Sequence, residues 1–372
     1  MSEILFVTWD GGGNVLVAVG IAKELQRRGH HVRFLGHQSQ AAAFTAAGHP
    51  FAGYPTARSF TSDAPSTTAA QLGVFGDRAM GRDVLAELAS RQADVVVVDC
   101  LLFGVLDALR RAGRPYVVLE HSFDGFFRGA AKGPLGLVLR LRGFRATDLI
   151  DSGRLVITTA LAELDAGHGQ VTHTGPVVTA VRAGGGRPGA EEPRVLISLS
   201  TFAFRSLTPT WQRVLDAVGE LPASFVATTG PAVEPGALRV PANVELHRWL
   251  PHEDVLGQVS LVVGHGGHGT TMAALAHDLP LLLIPLDPKT DQPFVARALE
   301  QAGAGRALSR RASPRRIRAA VEELLADGPH RAAAARLGAA IRALPGATNG
   351  ADRIEALLSN EASAPGRPAA PR

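Results

Sequence analysis

The chain carries a single cysteine, Cys100, in 372 residues, which excludes a disulfide within the chain and any cysteine-based metal cluster. A lone thiol of this kind suits a reducing compartment. Aromatic residues make up only 5% of the chain, with 3 Trp and 2 Tyr, so the stacking platforms of a nucleic-acid surface are lacking. Charge of one sign is lacking as well, because 38 basic residues stand against 34 acidic ones for a formal net charge of +4. The basic residues are scattered, with short clusters at Arg110-Arg111 and between Arg310 and Arg318. Nucleic acid is therefore not an expected partner, whereas a slightly positive protein suits a small anionic substrate. No apolar run approaches the roughly 18 residues of a membrane span. The opening segment MSEILFVTWDGG lacks the basic stretch and unbroken apolar core of a signal peptide. The expectation is a cytoplasmic protein without stable membrane insertion.

What the chain does have is enough apolar material, 46% of its residues, to bury the cores of two ordinary domains. Ile4–Val7 reads as a buried strand, Val15–Arg28 as an amphipathic helix closed by Gly29, and His31–Leu35 as a second strand, which together make a βαβ unit. Asp94–Asp99, Pro115–Leu119 and Leu155–Thr159 continue the strand series, with a helix at Phe103–Arg111. Past residue 193 the scheme repeats, with strands at Arg194–Ser198, Ser224–Thr228, Val244–Leu246, Leu261–Val263 and Leu281–Ile284. Helices are expected there at Trp211–Gly219, Thr271–Ala276 and Gln292–Ala302. These patterns predict an α/β protein of two Rossmann-like domains, 1–180 and 194–345. A glycine- and proline-rich linker at 181–193 separates them, a helix follows at 346–360, and 361–372 reads as a disordered tail. Parallel sheets bind ligands at their C-terminal edges, so two such domains would face each other across a cleft.

The most informative stretch follows the strand Leu261–Val263. Gly264-His265-Gly266-Gly267-His268-Gly269-Thr270-Thr271 is a glycine-rich turn leading into a helix. A helix N-terminus presents free N–H groups and about half a positive charge, so it favours an anion. Gly266, Gly267 and Gly269 let a phosphate approach closely, and His265 and Thr270 add side-chain donors. Upstream, Trp249-Leu250-Pro251-His252 offers an indole for a base, and downstream Asp291-Gln292 offers a carboxylate and an amide for sugar hydroxyls. By contrast, Gly11–Leu16 fails as a dinucleotide fingerprint, because Leu16 stands where the last glycine belongs. His265 and His268 have no carboxylate at metal-ligand spacing, so no metal is expected there.

Trp-x-Pro-[Gln/His], His-Gly-Gly-x-Gly-Thr and Asp-Gln, in this order and at about this spacing, resemble the C-terminal domain of family 1 glycosyltransferases of the macrolide and antibiotic type. The resemblance implies the GT-B fold and a nucleoside-diphosphate sugar as co-substrate, with no further cofactor and no bound metal. It implies that Trp249 stacks on the donor base and Leu250 meets it through its backbone. His265 and the Gly266, Gly267, His268, Gly269 and Thr270 amides would hold the diphosphate, and Asp291 with Gln292 the sugar. Ser198-Leu199-Ser200-Thr201 resembles the family's phosphate-binding turn, with Thr201 the contributing residue. His252 stands where many relatives have Gln, and Pro285–Asp291 is two residues longer than the usual spacing.

Such enzymes normally carry a histidine base in the loop after the first strand. Aligning Gly29-His30 with the family's Arg-Gly-His places Asn14 at that position and Val17 on the usual proline, and an amide cannot take a proton at neutral pH. The family's orienting carboxylate matches Asp99. Three residues remain as candidate bases, with Asp99 and Asp10 ranked slightly ahead of His121. O-glycosylation is the default, and attack through an aromatic carbon is the alternative. The acceptor walls are expected at Phe51–Gly81 and Ser122–Arg145, where Phe123, Phe126, Phe127 and Phe144 favour an apolar natural product such as a polyketide or aromatic aglycone. The base of the donor, dTDP or UDP, and a homodimeric state stay open. So do two other roles: a silent nucleotide-sugar-binding relative that activates a partner, and an epimerase or hydrolase of the same shape.

Overall fold

The computed structural model describes residues 1–62, 64, 67–165, 170–179, 181 and 192–362. Its first sheet is built from β1 (Glu3–Val7), β2 (His31–Gly36), β3 (Phe51–Gly53), β4 (Val95–Asp99), β5 (Val117–Glu120), β6 (Leu155–Thr158) and β7 (Val171–His173). They lie in the order β3-β2-β1-β4-β5-β6-β7, and every pairing is parallel. A second sheet holds β8 (Arg194–Ser198), β9 (Ser224–Thr228), β10 (Val244–His247), β11 (Leu261–Gly264), β12 (Leu281–Leu283) and β13 (Gly305–Ala307). Its order is β10-β9-β8-β11-β12-β13, again with parallel pairing. Both sheets are doubly wound: the order reverses between β1 and β4 in one and between β8 and β11 in the other. Crevices at such switch points are where open α/β sheets take ligands.

Parallel strands covered on both faces read as continuous apolar runs, and the Val95–Val98 run shows why. Val96 and Val98 join Leu5 and Val7 in one core layer, while Val95 and Val97 join Ile4 and Phe6 in the layer on the opposite face. In the second sheet Ile197 and Val263 face one layer, and Leu196 and Val262 the other. That last layer also takes in Phe123, Ala160, Leu161 and Leu164 from the first half of the chain, so an apolar seam joins the two halves. The helix Gly346–Ala362 returns to the first sheet and packs on the helix Asn14–Arg27, burying Ala351 and Ile354 beside Ile21. Arg28 ties the crossing down with hydrogen bonds to Asp352 (2.6 Å) and Glu355 (2.5 Å). No helix among the described residues is long and apolar enough to cross a membrane.

Several expectations shift. The linker at 181–193 lies outside the described residues apart from Val181, Glu192 and Pro193, as does the tail, except that Glu361 and Ala362 continue the last helix. The three-residue strands β3, β7 and β13 are too short to show a period. The helix expected at Trp211–Gly219 starts at Leu207, with Pro209 in its first turn where a missing N–H costs nothing. Three of the four phenylalanines read as an acceptor wall are core instead: Phe123 is 0%, Phe144 1% and Phe127 4% exposed, Phe127 on the buried face of the helix Asp124–Lys132. Phe126 is partly buried against the same core.

Candidate active site

At the mouth of the second sheet, β11 ends at Gly264 and the helix His268–Ala276 begins after a turn of three residues. The helix has no side-chain cap at Gly267, so the amides of His268, Gly269 and Thr270 start it uncovered by any capping oxygen. Two glycines are required here by space. Gly266 adopts φ +89° and a Cβ on it would come within 2.9 Å of the Gln292 carbonyl oxygen, while a Cβ on Gly267 would meet His265 Cε1 and Nε2 at 2.7 Å. The His265 ring therefore lies across the turn, close to the helix start. Burial, reinforced by the neighbouring His252, pulls its imidazole down to about 4, so at neutral pH it acts as an uncharged donor. Its Nδ1 is buried with no partner among the described residues. Trp249, just past β10, is 68% exposed. His252 is turned inward, its Nε2 3.1 Å from Ser198 Oγ.

The His268 side chain points away from the helix start. It is 6% exposed, its ring meets Phe123 edge-on at 5.2 Å, and burial pulls it down to about 3. Only its backbone amide is offered at the helix start. Thr201, exposed just beyond β8, faces Gly12 of the first sheet's loop, whose Cβ position is 4.0 Å from Thr201 Oγ1.

On the sugar side, Asp291 precedes the helix Gln292–Gln301. Gln292 is 3% exposed, and its carbonyl oxygen accepts the Leu286 and Asp287 amides at 2.7 and 3.3 Å. Half of that amide thus organises the longer loop instead of facing a ligand. The loop reaches the opposite domain, with Lys289 Nζ 3.4 Å from Thr68 Oγ1. Asp291 Oδ2 accepts a 2.7 Å hydrogen bond from Ser122 Oγ, across the cleft from β5. Burial lifts its carboxyl above the usual range, opposed by Ser122 and by His121.

The first sheet's mouth gathers Asp10, Asn14, Asp99 and His121. Asn14 is 4% exposed and its Nδ2 donates to Asp99 Oδ2 at 2.9 Å and to the Trp9 carbonyl at 3.1 Å. The amide thus sits against the carboxylate as the alignment implies. His121 Nδ1 lies 3.2 Å from the same Asp99 oxygen, an ion-pair contact too bent for a good hydrogen bond. Burial works against charge on both groups, but each partner outweighs it for the other: Asp99 sits below its usual value and His121 above its own, helped further by Asp291. Asp10 is occupied, its two oxygens accepting hydroxyls from Ser62 (2.8 Å) and Ser39 (2.7 Å). Ser122 and Lys289 are bridges that no sequence pattern marks.

Asp99, Cys100 and His121 offer donor atoms within 4.8 Å of one another. Burial, with the Asp99 and Glu120 charges, pushes the Cys100 thiol well up, which disfavours the thiolate that a metal needs. A cavity of about 10 Å³ lies under this group, lined by Asn14, Asp99 and His121 among others. It is the size of one water.

Two facing sheets with a capless, glycine-rich helix start on one side and a histidine–carboxylate pair on the other have clear counterparts among known proteins. Residues 212–357 match the family model of the erythromycin biosynthesis protein CIII-like C-terminal domain. The chain is 28% identical to 4'-demethylrebeccamycin synthase of Lentzea aerocolonigenes, covering 96% of this chain and 100% of that protein. The fold superposes on the kitacinnamycin glycotransferase with a TM-score of 0.77 at 26% identity, covering 96% and 99% of the two chains. The calicheamicin glycosyltransferase gives 0.76 at 25%, covering 96% and 98%. The chain has the GT-B fold and is similar to the antibiotic-type glycosyltransferases. Asp291 on the second sheet's side faces Ser122 on the first, one residue from the His121–Asp99 pair.

Proposed function

We propose that this glycosyltransferase moves a hexose from a nucleoside-diphosphate sugar, dTDP- or UDP-linked, to a hydroxyl of a small natural-product acceptor, inverting the anomeric carbon without a bound metal. The nucleoside base stacks on Trp249 and meets the Leu250 backbone. The diphosphate lies on the amides of His268, Gly269 and Thr270 with His265 and Thr201, and the sugar on Asp291 and the Gln292 amide nitrogen.

His121 is the base. Asp10 is held by two serines, and Asp99 is buried and below its usual pKa, so neither is suited to take a proton. Burial lowers His121, but Asp99 outweighs it and holds the imidazole above its ordinary value, which makes it the stronger proton acceptor of the three. With Nδ1–H turned to Asp99, Nε2 accepts the proton of the acceptor hydroxyl. The acceptor oxygen forms its bond to the anomeric carbon as the bond from that carbon to the phosphate oxygen breaks, and the nucleoside diphosphate leaves with the electron pair. Its new charge is met by His265 and the helix start, and the imidazolium by Asp99.

The observation that carries this function is that the two mouths face each other closely enough for Ser122 to bond Asp291. The test is a thermal-shift screen of nucleoside diphosphates and nucleotide sugars, followed by product analysis with a panel of aglycones. A bound donor at about 100 times its Kd stabilises the native state by about 2.7 kcal/mol. A clear shift with dTDP or UDP and a glycoside product are expected. Donor consumption without glycoside, or binding without turnover, would overturn the assignment.

A further inference from the structure

We propose that Ser122 is a positioning residue for the sugar-binding carboxylate Asp291, and that the tripeptide His121-Ser122-Phe123 ties the base to the donor site. The inference rests on the donor and base assignments above and goes beyond them, because nothing in the motifs points to Ser122.

Each residue of the tripeptide touches a different part of the machinery. His121 faces Asp99. Ser122, 0% exposed, sends its hydroxyl across the cleft to Asp291 Oδ2 at 2.7 Å. Phe123, also 0% exposed, packs against His268 at the start of the diphosphate helix, 5.2 Å between ring centroids, and against Phe294 in the Asp291 helix, 5.4 Å. The segment cannot slide freely, because the Ser122 carbonyl accepts the Thr158 hydroxyl from β6 at 2.7 Å. Ser122 is thus a buried donor on a fixed backbone, aimed at a carboxylate on the other domain.

That arrangement has a chemical consequence. Asp291 is in a site where burial favours its neutral form, and the hydroxyl of Ser122 together with His121 holds it toward the charged one. A charged, directed carboxylate is the better acceptor for sugar hydroxyls. Fixing Oδ2 on Ser122 leaves Oδ1 to the sugar, and sets the distance between the bound sugar and His121, one residue away.

The test compares Ser122→Ala, Asp291→Asn and the double variant in full-length protein, measuring the Kd of dTDP and UDP, donor KM, acceptor KM and the pH dependence of donor binding. Unchanged nucleoside-diphosphate binding reports an intact fold, since Asp291 touches only the sugar. Ser122→Ala is expected to raise donor KM about 10- to 100-fold, the size expected for losing a hydrogen bond to a charged group, with acceptor KM unchanged. Donor binding in that variant should weaken as pH falls, because the unheld carboxyl protonates at higher pH. In the Asp291→Asn background the same change should have little further effect. If Asp291→Asn weakens donor binding but Ser122→Ala does not, or if their effects add in full, the proposal is wrong while the donor site stands. If Asp291→Asn leaves donor KM unchanged, the donor site itself is misassigned and the proposal goes with it.

Discussion

The two sheets present their switch points to the same cleft, but they build a site there from different materials. The second sheet uses backbone: uncapped amides at the start of His268–Ala276, made accessible by Gly266 and Gly267. The first sheet uses side chains drawn from three separate strand ends, with Asn14 and His121 converging on one oxygen of Asp99. A backbone site has to be glycine-rich, is local in sequence and tolerates little change. A side-chain site can move its base to a neighbouring strand and leave an amide behind. On the proposed assignment the carboxylate is Asp99 and the imidazole is that of His121 at the end of β5, instead of one from the loop after β1.

The sharpest way to break this contrast is His121→Ala, which should lower kcat by about 10² to 10⁴ while leaving the Kd of dTDP or UDP unchanged. A drop in nucleotide binding instead would mean that the two mouths are not separate in function. The pH profile sharpens the same point. The rate should rise with pH as the His121 imidazolium loses its proton, with half-activity above 6.5 because Asp99 holds that proton more tightly. In Asp99→Asn the midpoint should move down, toward lower pH, since the stabilising charge is gone; an unmoved midpoint would reject the pair.

His265→Ala addresses the other mouth. Loss of one donor to the leaving group should lower kcat by about 10² to 10³, with acceptor KM unchanged and the pH midpoint unmoved. Trp249→Ala should weaken nucleotide binding by about 1–3 kcal/mol, as for an aromatic stacked on one base. Because the indole is 68% exposed, its loss should leave thermal stability within about 0.5 kcal/mol, which separates a ligand contact from a core residue. The smallest effect is expected for Asp10→Asn: about three- to tenfold in acceptor KM, the scale of a loosened hydrogen bond, and no change in the pH profile. A shifted profile would return Asp10 to the role of base.

How much of this was legible follows from the same contrast. Leu261–Val263, the glycine turn, Trp249 and Asp291 are close in sequence, and the strand, turn and helix start there could be read from residue type. The strands were legible for a related reason, since a run such as Val95–Val98 is apolar on both faces. The acceptor side was not. The sequence ranks Asp10 and Asp99 above His121 as bases, and it does not show the serines at 39 and 62 that occupy Asp10 or the His121 and Asn14 contacts that lower Asp99. Phe123 and Phe144 read as lining because an apolar side chain in a polar stretch looks the same whether it faces a ligand or a core. The helix Gly346–Ala362 was visible as a helix, but its return to the first sheet depends on Arg28 and Ile21, more than three hundred residues away.

The central claim is that amides at the start of His268–Ala276 hold a diphosphate whose base lies on Trp249. A crystal structure with dTDP or UDP tests it most directly. The predicted result is the diphosphate on the amides of His268, Gly269 and Thr270, with His265 in hydrogen-bond contact and the base stacked on the indole. A nucleotide bound elsewhere, or an empty crevice at saturating ligand, would contradict it.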